Sequence, residues 1–271
     1  MTVARQPAVA GRFYPAGARE LTGEVRQYTS LVAQESKSAA VACLVPHAGY
    51  VYSGAIAGAV YARLVFPRRV IILGPRHFPQ GADFAINSTG SWKTPLGLAE
   101  IDSELAEKLV TACPRLTEDQ VAHRTEHSLE VQLPFLQVLA PEAQFVPIAI
   151  GASGFEPLED LGRAIARVLA QLPEPVLIVA SSDMNHYEPD DVTRVKDQRA
   201  IEKLLALDAR GLYDIVRREG ITMCGYAAAT AMLVAAHARG SRNAELVKYA
   251  TSGDVFGDRE EVVGYAGMIF R

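Results

Sequence analysis

The chain has 271 residues, 49% hydrophobic and 21% charged, which fits one large α/β domain or two small ones with a core that needs no staples. A net charge of −4 with no Lys/Arg block excludes a nucleic-acid footprint, and no apolar stretch reaches the roughly 18 residues of a membrane helix. The stretch "MTVARQPAVAGRFYP" has no run fit for a signal peptide, and Cys43, Cys113 and Cys224 are too scattered for a disulfide framework or a Cys-x-x-Cys zinc site, so a soluble cytoplasmic protein is expected.

In chain order, "AVACLVP" (40–46) reads as a buried strand, followed by a helix with a small-residue face at 53–64. "RRVIILGP" (68–75), "QFVPIAIG" (144–151) and "PVLIVASS" (175–182) are further apolar strands, with helices between them at 103–112, 127–140 and 156–171. Helical patterns at 191–207 and 224–239 precede two last strands, "ELVKYATSG" and "EVVGYAGMIF". Continuously apolar central strands are buried on both faces. That predicts a single α/β domain over 1–271, a mixed or parallel sheet flanked by helices.

Three of these strands run directly into a histidine-bearing loop. The first reaches His47 in "LVPHAGYVYSG", the second His77 in "ILGPRHF", and the fourth Asp183 and His186 in "SSDMNHYEP". Open α/β sheets bind ligands beyond the carboxyl ends of their strands. Neutral imidazoles bind first-row metals, and a carboxylate or thiolate completes such a set. Read one at a time, each histidine fits a hydrogen-bonded structural role as well as a ligand role; together they raise a shared site.

Other residues carry two readings. Glu126 and His127 open "EHSLEVQLPFLQ" at an expected helix start, where His127 and Glu130 fit either dipole-favoured side chains or residues beside a pocket. Tyr50 and Tyr52 sit on the His47 loop and offer hydroxyls to a substrate or to the core. Trp92 packs or walls a cleft. His123 and His237 are expected to face solvent, and Cys43 and Cys113 to be structural. Cys224 is either a small buried hydrophobe or a thiol whose pKa a helix start lowers toward thiolate.

The motifs "VPHAGYVYSG", "ILGPRHF", "TPLG", "EHSLEVQLPFLQ", "SSDMNHY", "MCGYAAA" and "YATSGD" occur in this order, between "AGRFYPA" near the start and "GYAGMIF" at the end. The set resembles the Memo family, also called AmmeMemoRadiSam system protein B. The resemblance implies the fold of the class III extradiol (LigB-like) dioxygenases, which cleave catechol-type rings with non-haem iron. It makes His47, His77 and Cys224 the ligands of one metal, Fe(II) first, with copper or zinc also admitted by a His₂Cys set. It makes His186 an acid/base group, with Asp183 orienting it or binding the metal, and His127 a residue near the site.

Those dioxygenases use a carboxylate where this chain offers a thiol, so three functions follow. One is redox or oxygenase chemistry on a small molecule. Another is capture of a small-molecule or peptide ligand without turnover, and a third is metal-assisted hydrolysis. The family name further implies radical SAM and AMMECR1-like proteins as partners of the same system.

Overall fold

The computed structural model describes residues 4–30, 37–151 and 154–271; the first three residues of the N-terminal stretch lie outside that set. Helix α1 (Ala18–Ser30) leads to strand β1 (Ala42–Val45), helix α2 (Tyr50–Tyr61) and strand β2 (Arg69–Pro75). Strand β3 (Phe84–Ile86), the hairpin β4 (Ser91–Thr94) and β5 (Gly97–Glu100), helix α3 (Ser103–Ala112), strand β6 (Thr117–Glu118) and the short α4 (Val121–Arg124) follow. A 3₁₀ turn, Glu130–Gln132, runs into α5 (Leu133–Leu139), then β7 (Gln144–Ile150), α6 (Phe155–Ala170), β8 (Val176–Ser181) and β9 (His186–Glu188). The chain closes with α7 (Asp190–Leu205), α8 (Ala209–Arg218), α9 (Tyr226–Ala238), β10 (Ala244–Thr251), α10 (Gly253–Phe256) and β11 (Val262–Phe270).

Among the described residues the main sheet runs β10-β11-β1-β8-β2-β7-β3-β6, with β9 paired to β11. Strands β1, β8, β2 and β7 are mutually parallel, while β11 and β3 pair antiparallel on either side. This is the mixed α/β sheet that the apolar strands predict. Every residue of β1 and β8 is buried, because helices cover both faces. Side chains alternate across the pleat: Ala42 and Leu44 join the core beneath α3, α6, α8 and α9, and Cys43 and Val45 the core beneath α1, α2 and α5.

Helix α9 is small and apolar all round, which suits a helix packed on more than one side. A Cβ at Gly162 of α6 would stand 2.5 Å from the carbonyl oxygen of Ala231, so the two helices meet backbone to backbone. No helix of the described residues is long and apolar enough to cross a membrane.

Several expectations shift. The helix expected at 53–64 starts at Tyr50, directly after its N-cap Gly49. The helix expected at 127–140 is a loop, a 3₁₀ turn and α5. Backbone N–H groups of His127 and Ser128 turn back onto the Glu126 carboxylate, and Pro134, which has no N–H, sits in the first turn of α5. His123 is 1% exposed, not solvent-facing. It packs against Trp92 at 5.5 Å between ring centroids, and burial, with help from Arg5, pulls its pKa down to about 4. His237 is exposed. Cys43 and Cys113 are buried, and Trp92 is wholly buried, donating its indole N–H to Asn87 Oδ1 at 3.0 Å.

Candidate metal centre

Strands β1, β8 and β2 are adjacent and parallel, so their carboxyl ends meet at one edge. His47 follows β1, His77 follows β2 and Asp183 follows β8, each in the loop just past its strand. Cys224 arrives from the other side, on the segment joining α8 to α9. The result is one cluster. His47 Nε2 lies 3.3 Å from Cys224 Sγ, and one ligand atom each from His47, His77 and Cys224 fall within 4.8 Å of one another. Metal–nitrogen and metal–sulfur bonds of about 2.0 and 2.3 Å at tetrahedral angles set such donors roughly 3.5 Å apart, so the residues fit a single ion.

The hydrogen bonds behind the histidines decide which nitrogen is free. His77 Nδ1 lies 2.8 Å from Glu126 Oε1, a carboxylate oxygen that only accepts, so Nδ1 carries the proton. His47 Nδ1 lies 3.0 Å from Ser181 Oγ. That hydroxyl donates its one hydrogen to Ser128 O at 2.6 Å and accepts from Gln132 Nε2 at 2.9 Å, so toward His47 it must accept again. Gln132 is itself fixed by Tyr61, whose hydroxyl donates to Gln132 Oε1 at 2.9 Å. His186 Nδ1 donates to the Thr222 carbonyl at 2.9 Å. In all three rings Nδ1 is engaged, which leaves Nε2 as the nitrogen able to face a ligand. A second polar group holding the far nitrogen is how metal-binding histidines are oriented.

Electrostatics favour the neutral form of His47 and His127. Burial, then the neighbouring His127 and His77, lowers the pKa of His47 well below the ordinary histidine value. Burial likewise lowers His127. Glu126 is fully buried, which alone would raise its pKa; the His77 hydrogen bond and charge, with backbone N–H groups of His77 and Ser128, outweigh this and hold it ionised. Its Oε2 accepts the His77 N–H at 2.6 Å. Burial raises Asp183, opposed by the His47 N–H, which donates to its Oδ1 at 2.7 Å.

Of the two readings of Cys224, the helix start that would lower its pKa is not what the structure shows. Helix α9 begins at Tyr226 with Gly225 as its N-cap, so the sulfur lies outside the first turn. Burial, then the Asp183 carboxylate, pushes the thiol pKa up. A bound cation would reverse that, since thiolate is the form that coordinates. The sulfur accepts the Asp183 backbone N–H at 3.3 Å.

The cavity above the cluster has a volume of about 750 Å³ and is bordered by His47, His77, His127, Asp183, His186 and Cys224. The His77 and His127 rings stack at 4.5 Å. Tyr52 borders the cavity; Tyr50 does not, being turned into the core with its hydroxyl donating to Val131 O at 2.7 Å. His186 is oriented by Thr222 rather than Asp183: the Thr222 hydroxyl accepts the His186 N–H at 2.7 Å, and Asn185 Oδ1 accepts the Thr222 N–H at 3.0 Å. Sequence reading left out Ser181, Gln132 and Thr222, and gave Glu126 no role toward His77. Their roles depend on partners far along the chain, and the one local signal was Glu126 beside His127.

Comparison with known proteins identifies the family and the fold. The profile of the Memo-like protein family matches residues 5–269. A MEMO1 family protein of Methanopyrus kandleri is 42% identical over 279 residues, covering 98% of this chain and 99% of its own length. One from Archaeoglobus fulgidus is 43% identical over 270 residues, covering 98% of this chain and 99% of its own. Among solved structures, an uncharacterized protein of Escherichia coli K12 superposes with a TM-score of 0.60 at 14% identity, covering 84% of this chain and 98% of its own, which is a likeness of fold. With the matches running nearly end to end, the chain belongs to the Memo family.

Proposed function

We propose that the chain is a mononuclear metal protein whose ion, Fe(II) first, is held by His47, His77 and Cys224 and acts on a small molecule bound in the cavity above. One observation carries the reading: both histidines spend Nδ1 on fixed acceptors, which leaves Nε2 for a ligand, and one donor atom each from His47, His77 and Cys224 lie within 4.8 Å of one another. The donor set admits copper and zinc as well. The ion would supply Lewis-acid chemistry, and redox chemistry where it is iron or copper.

The remaining roles belong to the protein. His186, with Nδ1–H donated to Thr222, has Nε2 available to take or return a proton at the ligand. Asp183 braces the cluster, accepting the His47 N–H and donating its own N–H to Cys224. The stacked His127 and His77 rings form part of the cavity wall. A thiol in the third position, where extradiol dioxygenases place a carboxylate, favours a second reading, ligand capture without turnover.

The test is anaerobic purification with metal counted per chain, for the wild type and for His47→Ala and Cys224→Ala. Occupancy near one in the wild type and a loss of most of it in each variant is expected; full occupancy in both variants would overturn the ligand assignment. Oxygen uptake with a panel of catechols then separates turnover from capture.

A further inference from the structure

The metal donors form only the floor of the cavity. Its walls are aromatic, from Phe13, Tyr52, Tyr187 and Tyr265. Tyr52 is extended outward by Phe256, with ring centroids 5.0 Å apart. Tyr187 and Phe256 are 74% and 61% exposed, apolar surface held open to water at the rim. Tyr187 also adopts φ 60°, a left-handed conformation uncommon outside glycine, next to His186. A space of about 750 Å³ belongs to the range of drug-sized ligands rather than of one small ring.

One permanent cation borders this space. Arg12 is the single Lys or Arg among its lining residues. Among the described residues it forms no ion pair; one Nη2 hydrogen bond, 2.9 Å to Ala8 O, steadies it. Its backbone is anchored on both sides. Ala8 and Val9 N–H and the Tyr14 hydroxyl all donate to the buried Glu130 carboxylate, and Phe13 O accepts the Tyr50 N–H at 2.7 Å. The Phe13 ring packs on His127 at 4.7 Å. An arginine fixed at its base, bordering an aromatic cavity, with no carboxylate paired to its guanidinium among the described residues, suits a carboxylate or phosphate.

We infer that Arg12 selects the ligand: an elongated molecule with an oxygen-bearing head at the donor cluster, a planar apolar body along Tyr52, Tyr187 and Tyr265, and an anionic tail paired with Arg12. The placing of the head rests on the metal reading above; the pairing of the tail does not.

Two probes test it by calorimetry on the anaerobically purified protein: 3-(3,4-dihydroxyphenyl)propionate and its uncharged counterpart 4-propylcatechol. The acid is expected to bind about tenfold more tightly, the gain of one charge-assisted contact. Arg12→Ala should bring the two to within about twofold while leaving metal content and the affinity for 4-propylcatechol unchanged, and Arg12→Lys should keep part of the preference. Equal affinities in the wild type, no binding of either probe, or a preference that survives Arg12→Ala would overturn the inference. Metal occupancy that ignores His47→Ala while the Arg12-dependent preference persists would instead overturn the metal reading alone.

Discussion

Glu126 controls His77 from two directions, accepting its backbone N–H with one oxygen and its ring N–H with the other. The same Oε1 accepts the N–H groups of His127 and Ser128, so every bond requires an acceptor and none a donor. Glu126→Gln puts an NH₂ against one set of donors. Metal affinity is expected to fall about 10- to 100-fold, the usual cost of losing an outer partner, measured by competition with a chromophoric chelator; an unchanged affinity would show that His77 needs no such brace. His47, His77, Asp183 and His186 were legible in the sequence because each sits just past an apolar strand. Glu126 was not, because its partner His77 is 49 residues away and only folding joins them. Tyr50 and Tyr52 show the opposite limit. Being two residues apart at the start of one helix they point differently, and only the helix's seating on the sheet decides that Tyr50 goes to the core.

At the scale of elements, Cys224 sits just before the N-cap of α9, and α9 packs close to its neighbours through small residues. One close approach is at Gly162 of α6, where a Cβ would meet Ala231 O at 2.5 Å and Val234 Cβ at 2.6 Å. Gly162→Ala has no room without separating the helices, and should cost about 1–3 kcal/mol in urea denaturation; a variant as stable as the wild type would show that α6 and α9 part freely. The long strands and most of the long helices were readable from periodicity, but α1 and α8 were not among the helices expected. The short strands β3, β4, β5, β6 and β9 were not readable, since two to four residues each are too few to show a pattern. The region 127–140 carried a helical apolar stripe, yet the Glu126 carboxylate diverts its first N–H groups and a helix forms only from Leu133.

At the scale of the whole molecule, the buried acid Asp197 ties distant parts together. Asp197 of α7 accepts the Asn185 N–H with Oδ1 at 2.8 Å and the Tyr249 hydroxyl of β10 with Oδ2 at 2.7 Å. Burial, resisted by these bonds, raises its pKa to about 7 from 3.8. The folded state thus holds this proton more tightly than the unfolded chain. The stability it contributes is full below about pH 4 and is lost as pH rises through about 7, at roughly 1.4 kcal/mol per pH unit where only the folded form is protonated. Asp197→Asn should flatten that fall between about pH 5 and 7 and match or exceed the wild type at pH 8. Urea unfolding at several pH values checks it, and an identical slope in both proteins would refute it. By itself the sequence determined the α/β class, the buried strands and the histidine loops, because continuous apolar runs and the chemistry after them are local properties. Only the tertiary structure decided that β1, β8 and β2 lie side by side, that Nε2 of each ring is the free nitrogen, and that His123 is buried while Arg12 borders the cavity. Strand order, proton placement and solvent exposure are set by contacts between residues far apart in the chain, which no local pattern encodes.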